Sequence, residues 1–192
     1  MTILLHICCA PCSIVPIDRF RAEGVDLLGW WFNPNIHPYT ENETRRTTLE
    51  KYAEKIALPI RWRNEYRLED FLRAVAFNEM NRCRTCLRWR LETAAVEAKS
   101  AGCEAFSTTL LYSKYQPHEL IAEIGAQVSE AKSIPFHYRD FRPFWREGVD
   151  RSRAEGMYRQ KYCGCIYSEK ERYLGKKDSP AASSSVANPQ HT

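Results

Sequence analysis

His6-Ile7-Cys8-Cys9-Ala10-Pro11-Cys12-Ser13, directly after the apolar run Ile3-Leu4-Leu5, is the stretch from which the chain is read. An apolar run followed by proline and serine marks a buried strand turning into a helix. Three thiols in five residues are denser than packing asks for. A thiolate at such a turn faces the amides of a helix N-terminus, which lower its pKa and favour metal or redox chemistry. The plain alternative is three small hydrophobes in a core.

Two more cysteine pairs weigh against that alternative. Cys83-Arg84-Thr85-Cys86 is a CxxC and Cys163-Gly164-Cys165 a CxC, so seven of the eight cysteines fall into three clusters and only Cys103 stands apart. One CxxC is a weak signal, but three clusters in 192 residues indicate a metal or redox centre. Cys83 and Cys86 share a face if Arg82 onward is helical. Cys8 and Cys9 can work together only at a turn. Gly164 allows Cys163 and Cys165 either to bind metal together or to close a strained disulfide. Zinc or an iron–sulfur cluster takes four ligands, leaving three thiols for a second task.

Outward from the first loop, the pattern alternates. Strands are expected at 2–7, 25–32, 60–63, 104–110 and 136–141. Helices are expected at 13–23, 41–57, 68–76, 82–101, 117–132, 143–158 and 165–173. Helix-length crossovers imply an α/β fold with a parallel five-stranded sheet covered on both faces. In such sheets the reactive site lies beyond the carboxyl ends of the strands, where the first loop falls. The expected organisation is one domain over 1–175 and a disordered tail over 176–192, where apolar residues thin out. Apolar content of 44% and charged content of 27% are ordinary for a globular protein. No stretch approaches the roughly 20 apolar residues of a membrane span. No basic segment introduces a secretory signal, so a reducing cytoplasm is expected, where metal or catalysis outranks structural disulfides. The net charge of +4 neither requires nor excludes nucleic acid.

The segments HICCAPC (6–12), NPNIHP (33–38), RCRTCLRWRL (82–91), FSTTLL (106–111), YQPH (115–118), DFRPFWREG (140–148) and YRQKYCGCIYSE (158–169) together resemble the cobalamin-independent epoxyqueuosine reductases of the QueH type. The resemblance spans nearly all of the chain before the tail. It implies an adenine-nucleotide-hydrolase-like (HUP-like) fold in which a cysteine loop replaces a glycine-rich phosphate loop. It also implies a [4Fe–4S] cluster with a neighbouring mononuclear iron. The implied reaction is the last step of queuosine synthesis, removal of the epoxide oxygen of epoxyqueuosine in the anticodon loop of tRNA. Electrons come from a separate, unidentified donor. Residue by residue, the resemblance assigns Cys8, Cys9, Cys83 and Cys86 to the cluster. Cys12, Cys163 and Cys165 remain for the second iron, or Cys163 and Cys165 form a redox-active disulfide. Where some relatives carry aspartate, this chain has Cys12.

Other residues carry weaker signals. His6 reads as a core histidine, whereas His37 and His118 fall in loops of matching segments and suit substrate or proton-relay roles. Arg45, Arg46, Arg82, Arg84, Arg88, Arg90, Lys114, Arg139, Arg142 and Arg146 compose a candidate phosphate-binding rim, or a solvated helix face. Trp89 and Trp145, beside arginines, are candidates for stacking on a splayed base. Among these, Arg88, Arg142, Arg146 and Trp145 are the expected tRNA contacts. Two other classes compete: an ATP-dependent sulfur-transfer or tRNA-thiolation enzyme, which lacks its SGGxDS-like loop here, and a zinc-stabilised RNA-binding module.

Overall fold

The structure, a computed structural model, describes residues 1–175. The tail expected at 176–192 lies outside the described residues. The apolar run becomes β1 (Thr2–His6), in which Ile3, Leu4 and Leu5 are fully buried. It is followed by α1 (Ala10–Ala22), β2 (Asp26–Trp31), α2 (Tyr39–Lys55), β3 (Ile60–Trp62), α3 (Leu68–Val75), α4 (Arg82–Ser100) and β4 (Ala105–Thr108). Then come α5 (His118–Lys132), α6 (Trp145–Ala154) and α7 (Ile166–Tyr173), with single 3₁₀ turns at Glu79–Asn81, Thr109–Tyr112 and Arg142–Phe144.

The sheet is parallel, in the order β3-β2-β1-β4, with Leu4 opposite Leu28 on one side and Phe106 on the other. Burial on both faces explains why β1 is an unbroken apolar run rather than an alternating one. Helix α1 packs on β2 and against α2 and α6, whereas α4 packs on β1 and β4 and against α5. No helix among the described residues is long and apolar enough to cross a membrane.

Four strands form, not five. Of the expected strand at 136–141, only Phe136 makes a bridge, to Phe106. Pro135 O accepts from Phe106 N and His137 N donates to Phe106 O, but the His137 carbonyl is then taken by the Ser107 hydroxyl. β4 offers nothing further, because Thr108 caps Leu110 N through Oγ1 and starts a 3₁₀ turn. The same cap ends β4 two residues before the expected limit of 110. Helix α6 stops at Ala154, short of 158, with Gly156 following at φ +63°.

Successive crossovers from β1 run towards β3 on one side, while β4 lies on the other. The order therefore reverses at the carboxyl end of β1, the place where such sheets open a crevice. The first cysteine loop occupies that crevice.

Candidate metal centre

The trio is set by the strand-to-helix turn. Cys9 is the extended N-cap of α1 (φ −173°, ψ 158°), Pro11 lies in the first turn, and Cys12 sits just beyond it. Proline costs nothing there, because its missing N–H would have no helical partner. The turn brings the side chains of Cys8, Cys9 and Cys12 within 4.8 Å of one another, and Cys8 Sγ is 3.9 Å from Cys9 Sγ. Thr109, across the crevice on the corner after β4, holds Cys8 twice. Its Oγ1 accepts from Cys8 N (3.2 Å) and lies 3.5 Å from Cys8 Sγ. Gln160 arrives from far along the chain, with Nε2 at 2.9 Å from Cys9 Sγ and 3.5 Å from Cys12 Sγ. The Cys12 and Cys9 S–H groups donate towards Cys8 and hold its thiol well below the usual range. Burial pushes the Cys9 thiol up, and donation towards Cys8 does the same to Cys12.

A second group surrounds a neighbouring cleft. Cys83, Cys86, Cys163 and Cys165 line it together with Asn35, Arg90 and Gln116. Helix α4 presents Cys83 and Cys86 one turn apart, as the spacing predicts. The other pair comes on the segment before α7, with Cys165 as its N-cap accepting from Ser168 N. Gly164 between them has φ +140°, and a Cβ there would lie 3.1 Å from Ile36 Cγ1 and 3.2 Å from Asn35 Nδ2. Burial raises the Cys83 and Cys163 thiols and pushes Cys86 to about 12. All eight cysteines are free.

Two buried arginines lie between these groups, although the sequence reading puts both on a phosphate-binding rim or a solvated helix face. Arg45 and Arg90 are each 1% exposed. Arg45 pairs with Glu41 (2.7 Å) and donates to the carbonyls of Cys163 (2.9 Å) and Tyr162 (3.1 Å), so it staples the CxC segment to α2. Arg90 reaches Asn33 Oδ1 (2.8 Å), His6 Nε2 (3.3 Å) and Cys86 Sγ (3.9 Å). A guanidinium only donates, so His6 Nε2 accepts and Nδ1–H points to Thr108 Oγ1 at 2.8 Å. Burial and the neighbouring Arg90 lower the His6 pKa to about 3, so it is a neutral core histidine, as expected from β1.

The remaining predicted residues separate. His37 is buried against Phe71, with Nε2 at 3.2 Å from Pro34 O, Nδ1 unpartnered and its pKa lowered by burial. Its backbone fastens the second cysteine segment: N donates to Gly164 O (2.8 Å) and O accepts from Tyr162 (2.6 Å). His118 opens α5 beside the cleft, 3.0 Å from the Tyr138 hydroxyl and 4.0 Å from Asp140. Arg142 is clamped on Asp140, and Arg88 engages Gln127 and Glu92. Arg146 extends into solvent, 91% exposed. Lys114 Nζ lies 3.9 Å over the Trp145 ring, with the exposed Tyr115 edge-on. Thr109, Gln116, Gln160 and Asn35 escape a reading of the sequence because nothing in their spacing marks them. Their one signal is membership of the short segments that carry the family resemblance, and only Gln160 shares its segment with cysteines.

The trio's donor set fits one metal ion, and the other four thiols line a wider cleft. Tetrahedral thiolates about 2.3 Å from one metal lie roughly 3.8 Å from each other, close to the spacing in the trio. Thiolates of a four-iron cluster stand further apart around a cavity. The trio is the only close-set group of three such donors among the described residues, and the quartet lines a cleft. Asn35, 1% exposed, faces that cleft with both amide atoms unpartnered, as expected of a pocket built for a polar guest.

Comparison with known proteins agrees. A family model described as "Epoxyqueuosine reductase QueH" matches residues 3–171. A protein of that name from Thermotoga maritima is 36% identical over 181 residues, covering 89% of this chain and 92% of the relative. Another, from Dehalococcoides mccartyi, is 32% identical over 179 residues, covering 93% and 98% respectively. Among solved structures, a predicted subunit of tRNA methyltransferase from Methanocaldococcus jannaschii superposes with TM-score 0.55 at 11% identity, over 80% of this chain and 74% of that one. That is a likeness of fold.

Proposed function

The chain belongs to the epoxyqueuosine reductase QueH family, and on that premise we propose how its clustered thiols divide the work. It is an oxidoreductase of queuosine biosynthesis, reducing the epoxide of epoxyqueuosine to an alkene. The balance is two electrons and two protons in, one water out. On this reading Cys83, Cys86, Cys163 and Cys165 would hold a [4Fe–4S] cluster, while Cys8, Cys9 and Cys12 would hold a single iron. This partition moves Cys8 and Cys9 away from the set implied by resemblance, and the carrying observation is spacing. The trio is close enough for one metal, and the quartet surrounds a cleft. When bound, the cluster supplies single electrons and the iron a Lewis acid for oxygen.

The chain's own groups do the rest. Thr109 and Gln160 fix the trio's thiols by hydrogen bonds that set their direction. Gln116 does the same for Cys163, at 3.3 Å. His118, linked to Tyr138 and Asp140 and adjoining Pro117 of the cleft wall, is placed to relay protons. His37 serves instead as a backbone anchor for the second cysteine segment.

The substrate base sits in the anticodon loop of a tRNA, where it can be splayed out and stacked. Trp145, Tyr115 and Lys114 offer a mixed aromatic and cationic surface for that loop, with Arg146 beside it for phosphate. Tyr112 joins this surface to the trio: its hydroxyl donates to Trp145 O (2.7 Å), and the Cys12 and Cys9 thiols add to the burial that raises its pKa. Arg88 and Arg142, the other expected contacts, would meet phosphate by exchanging their surface partners Gln127, Glu92 and Asp140.

The test is anaerobically reconstituted protein, an epoxyqueuosine-bearing anticodon stem-loop and a chemical reductant. Digestion should give a nucleoside lighter by one oxygen. An untouched epoxide with protein carrying full iron and sulfide would overturn the assignment.

A further inference from the structure

Arg90 lies on α4, four residues after Cys86, and its guanidinium is sealed from water. Burying a cation is strongly unfavourable unless an opposite charge compensates it. Arg45, the other buried arginine, has Glu41. Arg90 has an amide oxygen, an imidazole nitrogen and a thiol, and none of the three partners is a carboxylate. Among the described residues no ion pair includes it. It also faces both thiol groups, close enough to act electrostatically on Cys8 of the trio and on Cys86 and Cys163 of the quartet. The compensating charge must therefore come from what the thiols become.

We propose that Arg90 is the counter-charge of the metal–thiolate assembly, a positioning residue between the two thiol groups that favours the centre's more negative, reduced state. The inference rests on the metal reading given above and goes beyond it in assigning a residue that binds no metal. Thiolates gathered around iron carry net negative charge, and each electron added makes the assembly more negative. A fixed cation at the border makes that electron easier to accept. Asn33 holds the fork in place and is itself tied to Ile7 O at 3.0 Å, at the root of the cysteine loop. Arg90 thus also ties α4, which carries the CxxC, to the first loop.

The experiment is a spectroelectrochemical titration of anaerobically reconstituted wild type, Arg90→Lys, Arg90→Gln and Arg90→Met, with iron, sulfide and thermal midpoint measured on each. The expected result is a lower reduction potential in the Gln and Met variants, with Lys nearer to wild type because it keeps the charge. Equal potentials in wild type, Gln and Met would overturn the proposal, leaving Arg90 a structural hydrogen-bond donor. So would Lys and Gln shifted alike. If Arg90→Gln and Arg90→Met lose the cluster, Asn33→Asp decides. It places a carboxylate at the guanidinium, at the expense of the bond to Ile7 O, and should lower the potential with Arg90 still present. An unchanged potential there rejects the proposal. Failure of wild type itself to take up iron and sulfide rejects the metal reading instead.

Discussion

The two thiol groups are built in opposite ways. The trio is local: one turn between β1 and α1 supplies all three side chains, each buried, and all three belong to the large apolar core built on the sheet. The quartet is assembled from two segments roughly eighty residues apart, with Cys83 and Cys163 exposed. Beneath it lies a second, small apolar cluster of Phe71, Val75, Cys86 and Cys165. A site made by one turn tolerates little change in that turn but is insulated from the rest of the chain. A site made by two segments depends on whatever clamps them together. Here the clamp is Arg45, the His37 backbone and Gly164.

The largest effect should come from deleting one thiol in each group. Cys86→Ala should strip nearly all sulfide and most iron, whereas Cys12→Ala should lower iron by about one per chain and spare the sulfide. Turnover falls to background in both. Equal loss of sulfide would collapse the distinction and restore a centre shared between the groups.

Removing the clamp comes next. Arg45→Met leaves Glu41 Oε1 and two carbonyls without their Arg45 donor, with Tyr158 still donating to Glu41 Oε2, and should cost about 3 kcal/mol in thermal or denaturant unfolding. It should also empty the quartet before the trio, read by sulfide against total iron. A third test is Gly164→Ala, where φ +140° and three close neighbours, Ile36, Asn35 and Arg45, oppose a side chain. Roughly 1–3 kcal/mol of destabilisation is expected, with sulfide lost and the trio's iron retained. An unaffected quartet would mean that the loop has freedom the clamp does not show.

The smallest effect reports on the other side. Thr109→Val keeps the shape but removes the acceptor for Cys8 N, costing about 1–2 kcal/mol. A supporting bond of this kind is worth roughly 10–100-fold in metal affinity. Chelator competition should find that loss in the single iron and not in the cluster.

Much of this could be read from the chain before folding. The buried run at Ile3–Leu5, the strand–helix alternation and the three cysteine clusters depend on short-range pattern, and the structure keeps them. The fifth strand was not legible, because Phe136–Phe141 has strand-like composition while its pairing depends on Ser107 and Thr108, some thirty residues earlier. The inward turn of Arg45 and Arg90 was hidden for a similar reason. Arginine among glutamates reads as surface; the return of residues 160–165 covers Arg45, while Arg90 turns in towards Asn33 and His6 at the end of the sheet.

The staple on the second cysteine segment has a consequence for maturation. Arg45 and His37 grip the main chain of Tyr162–Gly164 and leave its sulfurs untouched. The grip uses main-chain atoms alone, so ordering the segment does not draw on its thiols, and its ordering entropy is spent during folding of the polypeptide. On the proposed assignment, cluster delivery would resemble the docking of a rigid guest into a finished cradle. Loading should proceed with little change in heat capacity, and a scaffold protein handing over the cluster would meet the apoprotein already in its final shape.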